Sequence, residues 1–112
     1  MFERFEKVFG GSNFYSLHTI ESTMNYLALV AEFFGTFLLL LSILATGNPL
    51  VIGLTLTLVI YLIGDLSGGH INPAVSVTMF MNNALSLSEL VSYAVVQCLG
   101  GVSALFVYKA IA

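Results

Sequence analysis

The string Ser67-Gly68-Gly69-His70-Ile71-Asn72-Pro73-Ala74-Val75 holds the residue types in this chain best suited to handling a polar solute. Pro73 suits the first turn of a helix, where its missing N–H costs nothing and its fixed φ is already helical. Asn72 before it is a strong N-cap, because its side-chain oxygen accepts from backbone donors at a helix start. The amide nitrogen then points outward with two N–H groups to give. Unpaired N–H groups and aligned peptide dipoles make such a helix start locally positive. Set inside a membrane, the cap donates to a water or hydroxyl oxygen and repels cations. Gly68, Gly69 and His70, just ahead of it, offer backbone carbonyls as acceptors. Acceptors followed by a donor cap form a hydrogen-bonding track for a neutral polar solute.

Two more polar residues stand inside apolar runs: Glu32 in Ala31-Glu32-Phe33-Phe34-Gly35-Thr36, and Gln97 in Val96-Gln97-Cys98-Leu99-Gly100-Gly101. Intramembrane ionisable groups are costly and face the interior of a bundle with a partner. Plain helix–helix hydrogen bonding is one reading of this pair, and bracing of the glycine-rich loop is the other. Gly35, Gly100, Gly101 and Ala104 give small surfaces for close helix approach. His70 alone would suggest a metal, yet no second ligand stands near it, so a structural or carbonyl-contributing histidine is expected. Cys98 is the single cysteine. It excludes a disulfide framework or thiolate metal site and reads as a buried packing residue. No nucleophile–base pair is available for an enzyme, and neither a metal nor another cofactor is called for.

The elements that must position these residues are apolar. The chain is 58% hydrophobic and 8% charged, against about 25% charged in ordinary soluble domains. No charged residue stands between Glu32 and Asp65, or between Glu89 and Lys109. Stretches of about 20 apolar residues cross the hydrocarbon core. Spans are therefore expected over 25–45, 50–66 and 88–111, with Thr46-Gly47-Asn48-Pro49 breaking the first from the second. Between the second and third spans, 73–81 has a helical pattern that ends at Asn82-Asn83. Nine residues make roughly 14 Å of helix, about half the hydrocarbon thickness. Ser86 and Glu89 form a capping box at the start of the last span. The expected fold is an all-α, multi-pass membrane protein of three transmembrane helices plus one re-entrant half-helix, in a single domain over 25–112.

Residues 1–24 read as an N-terminal tail. Phe2, Phe5 and Phe9 fall at helical spacing, which suits an interfacial helix; a frayed tail fits equally. There is no continuous apolar h-region of the kind a signal peptide needs. Net charge is −3 with three Lys and Arg in all, so no basic patch for nucleic acid exists. Arg4 and Lys7 against Lys109 weakly favour an inside N-terminus.

In order and spacing, the three strings around Glu32, Asn72 and Gln97 resemble the aquaporin, or major intrinsic protein, family. The resemblance runs from about Ala31 to Tyr108, and the loop string is its most specific part. It implies a pore lined by Gly68, Gly69 and His70 through their carbonyls and by the cap Asn72, Pro73 and Ala74, with Asn72 orienting the permeating water. It implies that Glu32 and Gln97 support the loop. The family's constriction position, just before a Gly-Leu pair, is Ile52 here. Water channels commonly carry an aromatic residue or His there and glycerol channels a Trp, so Ile52 extends the expected solutes from water to small neutral molecules such as glycerol. The family fold has two inverted halves, each with an Asn-Pro-Ala string. This chain carries one.

Two functional readings follow. In the first, the chain is a channel subunit in the lipid bilayer whose pore is closed by a second copy of itself or by a complementary second-half chain. In the second, it is a truncated, non-conducting remnant, a reading suited by an end at Ala112 just after the third span. A scaffold without conduction has no specific support.

Overall fold

Residues 25–112 are described by a computed structural model. The N-terminal tail over 1–24, with its interfacial-helix reading, lies outside them. Each helix begins on a side-chain cap, and the first two end on a left-handed glycine. Helix α1 (Tyr26–Thr46) starts where Asn25 accepts from the Ala28 N–H, and stops at Gly47, whose φ of +55° suits a residue without Cβ. Helix α2 (Pro49–Ser67) follows at once, with Asn48 as side-chain cap and Pro49 in the first turn. It ends on Gly68 at φ +91°. The short helix α3 (Pro73–Met81) starts from Asn72. Helix α4 (Leu87–Ile111) opens on a complete capping box: the Glu89 N–H donates to Ser86 Oγ at 3.1 Å, and the Ser86 N–H donates to Glu89 Oε1 at 2.8 Å.

Three of these helices are long and apolar enough to cross a membrane: α1, α2 and α4. Their limits fall within one residue of the spans expected from composition. Helix α3 has nine residues, too few to cross alone.

Helix α1 is central, packed most extensively on α4 and then on α2, while α3 rests on α4. Direction follows from paired residues. Gln97 meets Glu32, Gly100 meets Phe33 and Phe37, and Gly101 meets Leu40, so α1 and α4 run parallel. Glycine makes this approach possible. A Cβ on Gly100 would collide with the Phe33 carbonyl oxygen, and one on Gly35 would sit 2.9 Å from the Ile63 and Val59 side chains. Ala104, one turn beyond Gly100, is wholly buried.

Cys98 departs from expectation: it is exposed, not a packing residue. The buried stripe of α4 is Glu89, Tyr93, Gln97, Gly100 and Ala104. A residue next to Gln97 lies about 100° around a helix of 3.6 residues per turn, and that turns Cys98 off the stripe.

The segment between α2 and α3 reverses immediately. Gly68 and Gly69 take φ +91° and +65°, and a Cβ on Gly69 would lie 3.3 Å from the Ile60 Cα. The chain therefore doubles back along α2. At the far end of α3, Asn83 at φ +62° turns the chain towards α4. Leu85 from this turn packs with Ala28 and Tyr93, backed by Leu29, Met79 and Phe80.

Candidate functional site

Glu32 lies about two turns into α1, is 0% exposed, and sits under the reversed segment. Its Oε2 accepts from Ser67 Oγ at 2.6 Å and from the His70 N–H at 2.9 Å. Its Oε1 accepts from the Ile71 N–H at 2.7 Å and from Gln97 Nε2 at 2.9 Å. A carboxylate has about four lone-pair sites, so these donors fill it. Burying a carboxylate costs several kcal/mol. Charge-assisted hydrogen bonds, each worth about 1.5–3 kcal/mol net, offset that cost.

Those bonds hold a backbone that would not otherwise persist. Ile71 has φ +48°, a left-handed conformation that is strained for a β-branched residue. Its N–H is tied to Glu32, and its side chain is buried against α1 at the Gly35 position. The next residue, Asn72, returns to extended backbone, and its Oδ1 accepts from the Ala74 N–H at 2.8 Å. Oδ1 is thereby committed to the helix start. The Nδ2 group has no partner among the described residues, and Asn72, Pro73 and Ala74 are all exposed. Among the described residues, the carbonyls of Gly68 and Gly69 likewise accept no hydrogen bond.

The structure thus brings Glu32, Gln97, Gly68, Gly69, His70 and the Asn72-Pro73-Ala74 cap into one assembly. Ile52 stands apart. It is half-buried near the start of α2, and the eight residues from Ile52 to Ile60, where Gly69 packs, place it roughly 12 Å further along the helix.

Three contributors were not singled out from sequence. Ser67 bridges Glu32 and the Gly69 N–H, at 2.6 and 3.1 Å. Tyr93 donates its hydroxyl to the Ser67 carbonyl at 2.7 Å and sets its ring 5.0 Å from the His70 ring. Ser76, wholly buried in α3, takes a hydrogen bond from Gln97 Nε2 at 3.0 Å and lies 2.9 Å from His70 Nδ1. A usable signal for Tyr93 existed: it stands four residues before Gln97 and so on the same face of α4.

Chemically, the assembly is an array of oriented hydrogen-bonding groups. Among the described residues, no group of three or more His, Cys, Asp and Glu side chains is placed to hold a metal.

Residues 19–112 match the family model described as Major intrinsic protein. The chain is 35% identical over 106 residues to a probable aquaporin PIP2-7 of Oryza sativa subsp. japonica, a match covering 77% of this chain and 37% of that protein. It is 37% identical over 84 residues to the glycerol uptake facilitator protein-like 6 of Lactiplantibacillus plantarum, covering 67% of this chain and 39% of that one. To the aquaporin Z of Brucella melitensis biotype 1 it is 38% identical over 99 residues, covering 75% and 43%. The matched part therefore spans less than half the length of each relative. No solved structure matches the chain.

Proposed function

Because the chain belongs to the major intrinsic protein family, we propose that it is a multi-pass membrane channel subunit for the passive passage of water and of small neutral solutes such as glycerol. The observation that carries this reading is the four-donor clasp of Glu32 on the reversed segment, which leaves the Asn72 amide nitrogen outward at an exposed helix start. In the bilayer this segment is a re-entrant loop. Irregular backbone at membrane depth is tolerated only where it is buried in protein or lines an aqueous cavity, and the loop does both. Its inner side is buried on α1, while Asn72, Pro73 and Ala74 face outward. The Gly68, Gly69 and His70 carbonyls accept from the solute, and Asn72 donates to its oxygen. Pro73 and Ala74 form the wall at the start of the half-helix. Ile52, an aliphatic side chain further along the path, makes the constriction permissive to a small polyol.

The other side of the path is supplied by a second copy of this chain or by a complementary second-half chain. The names of the relatives, an aquaporin on one hand and a glycerol facilitator on the other, support this solute range without dividing it.

The test is osmotic shrinkage of lipid vesicles containing the chain alone, or the chain together with a second-half segment of a family member. Shrinkage faster than in empty vesicles is expected in one of the two preparations. If neither exceeds empty vesicles, with the protein folded and inserted, the channel reading fails. Replacing the salt gradient by a glycerol gradient then reads solute passage in the conducting preparation.

A further inference from the structure

Ser76 does more than occupy a turn of the half-helix. Glu32 Oε1 lies 2.9 Å from the Gln97 amide, and an acceptor-only carboxylate must face the nitrogen of that amide, not its oxygen. The nitrogen has two N–H groups. One goes to Glu32, and the other reaches Ser76 Oγ at 3.0 Å. The Gln97 oxygen has no partner among the described residues, and exchanging the two amide atoms would set that oxygen against the carboxylate. Ser76 Oγ is therefore an acceptor from Gln97, and its own O–H needs somewhere to go. It is wholly buried, and a buried hydroxyl without an acceptor carries a desolvation penalty. The remaining partner is His70 Nδ1, at 2.9 Å. A proton on Nδ1 would make Ser76 Oγ an acceptor twice over, from Gln97 and from His70, and leave its own buried O–H without an acceptor.

We infer that Ser76 donates its hydroxyl proton to His70 Nδ1, holds the imidazole as the neutral tautomer protonated on Nε2, and thereby acts as a positioning residue for the loop that carries Asn72. Hydrogen-bond direction then runs one way, from Gln97 on α4 through Ser76 on α3 to His70 in the loop. Turning the His70 ring over would cost both the Ser76 bond and the 5.0 Å contact with the Tyr93 ring. The loop is tied to the half-helix by this side-chain bond as well as by the main chain between them. The bearing of this on solute passage rests on the pore reading; the proton's position does not.

The experiment is nitrogen-15 NMR of histidine-labelled protein in lipid bilayers, in a His18→Gln background so that His70 gives the only imidazole signals. The expected spectrum has an attached proton on Nε2 and none on Nδ1. Ser76→Ala is expected to reduce the tautomer ratio by about tenfold, the scale of one buried hydrogen bond, and Ser76→Thr to restore it. A wild-type Nδ1–H signal overturns the assignment, as does a Ser76→Ala spectrum with an unchanged ratio. Should Ser76→Ala fail to fold, the wild-type spectrum alone still decides. Vesicles that pass no solute while His70 keeps the Nε2 proton refute the pore reading and leave the tautomer standing, so the two failures are distinguishable.

Discussion

Glu32 draws its hydrogen bonds from the end of α2, the loop and α4, and its substitution reads out the whole clasp. Glu32→Gln replaces one acceptor oxygen by an amide NH2 that confronts backbone or side-chain donors. A loss of roughly 3 kcal/mol is expected, on the scale of breaking a buried charged network, measured by unfolding in mixed micelles. The reversed pair Glu32→Gln with Gln97→Glu is expected not to recover it. Only one of the four donors comes from Gln97, and the other three still lose their carboxylate. Recovery to wild-type stability would mean that the Glu32–Gln97 contact alone matters and the loop does not. Glu32 and Gln97 were legible in the sequence because a carboxylate and an amide inside apolar runs are conspicuous. Ser67, Ser76 and Tyr93 were not. Hydroxyls are ordinary in membrane helices, where they bond to their own backbone, as Thr55, Thr57 and Thr78 do here. Only the fold separates those from the hydroxyls that join the site.

At the scale of elements, glycines that look alike in sequence have different surroundings. Gly100→Ala drives a methyl group into the Phe33 carbonyl, and backbone yields less readily than a side chain. A loss of about 2–3 kcal/mol in micelle unfolding is expected, at the upper end for overpacking. Gly101→Ala meets only the Leu40 side chain at 3.4 Å and is expected to cost little. Gly53→Ala enters open space and is expected to stabilise the isolated chain by about 0.5–1 kcal/mol, the helix advantage of alanine. Equal effects at all three positions would contradict the parallel α1–α4 packing. The helices themselves were legible: lack of charge set their extent, and Asn25, Asn48, Asn72 and Ser86 mark their starts. The arrangement was less so. Sequence places glycines where helices approach but does not say which glycine faces which helix, and the exposure of Cys98 is hidden from it for the same reason.

At the scale of the whole molecule, the proposed function makes the chain one wall of a path. The inner side of the loop is closed by α1 and α4, and the outer side, from Asn72 to Ala74, is open. The spans that bury the loop were readable from composition; the opposite side of the proposed path is not. In the proposed function the Asn72 amide donates to the permeating molecule. The most direct test of this claim is the osmotic water permeability of vesicles holding equal amounts of wild-type or Asn72→Leu protein, in the preparation that conducts, with helix content checked by circular dichroism. The expected result is a fall to the rate of empty vesicles with helix content retained. Permeability unchanged in Asn72→Leu would contradict the claim.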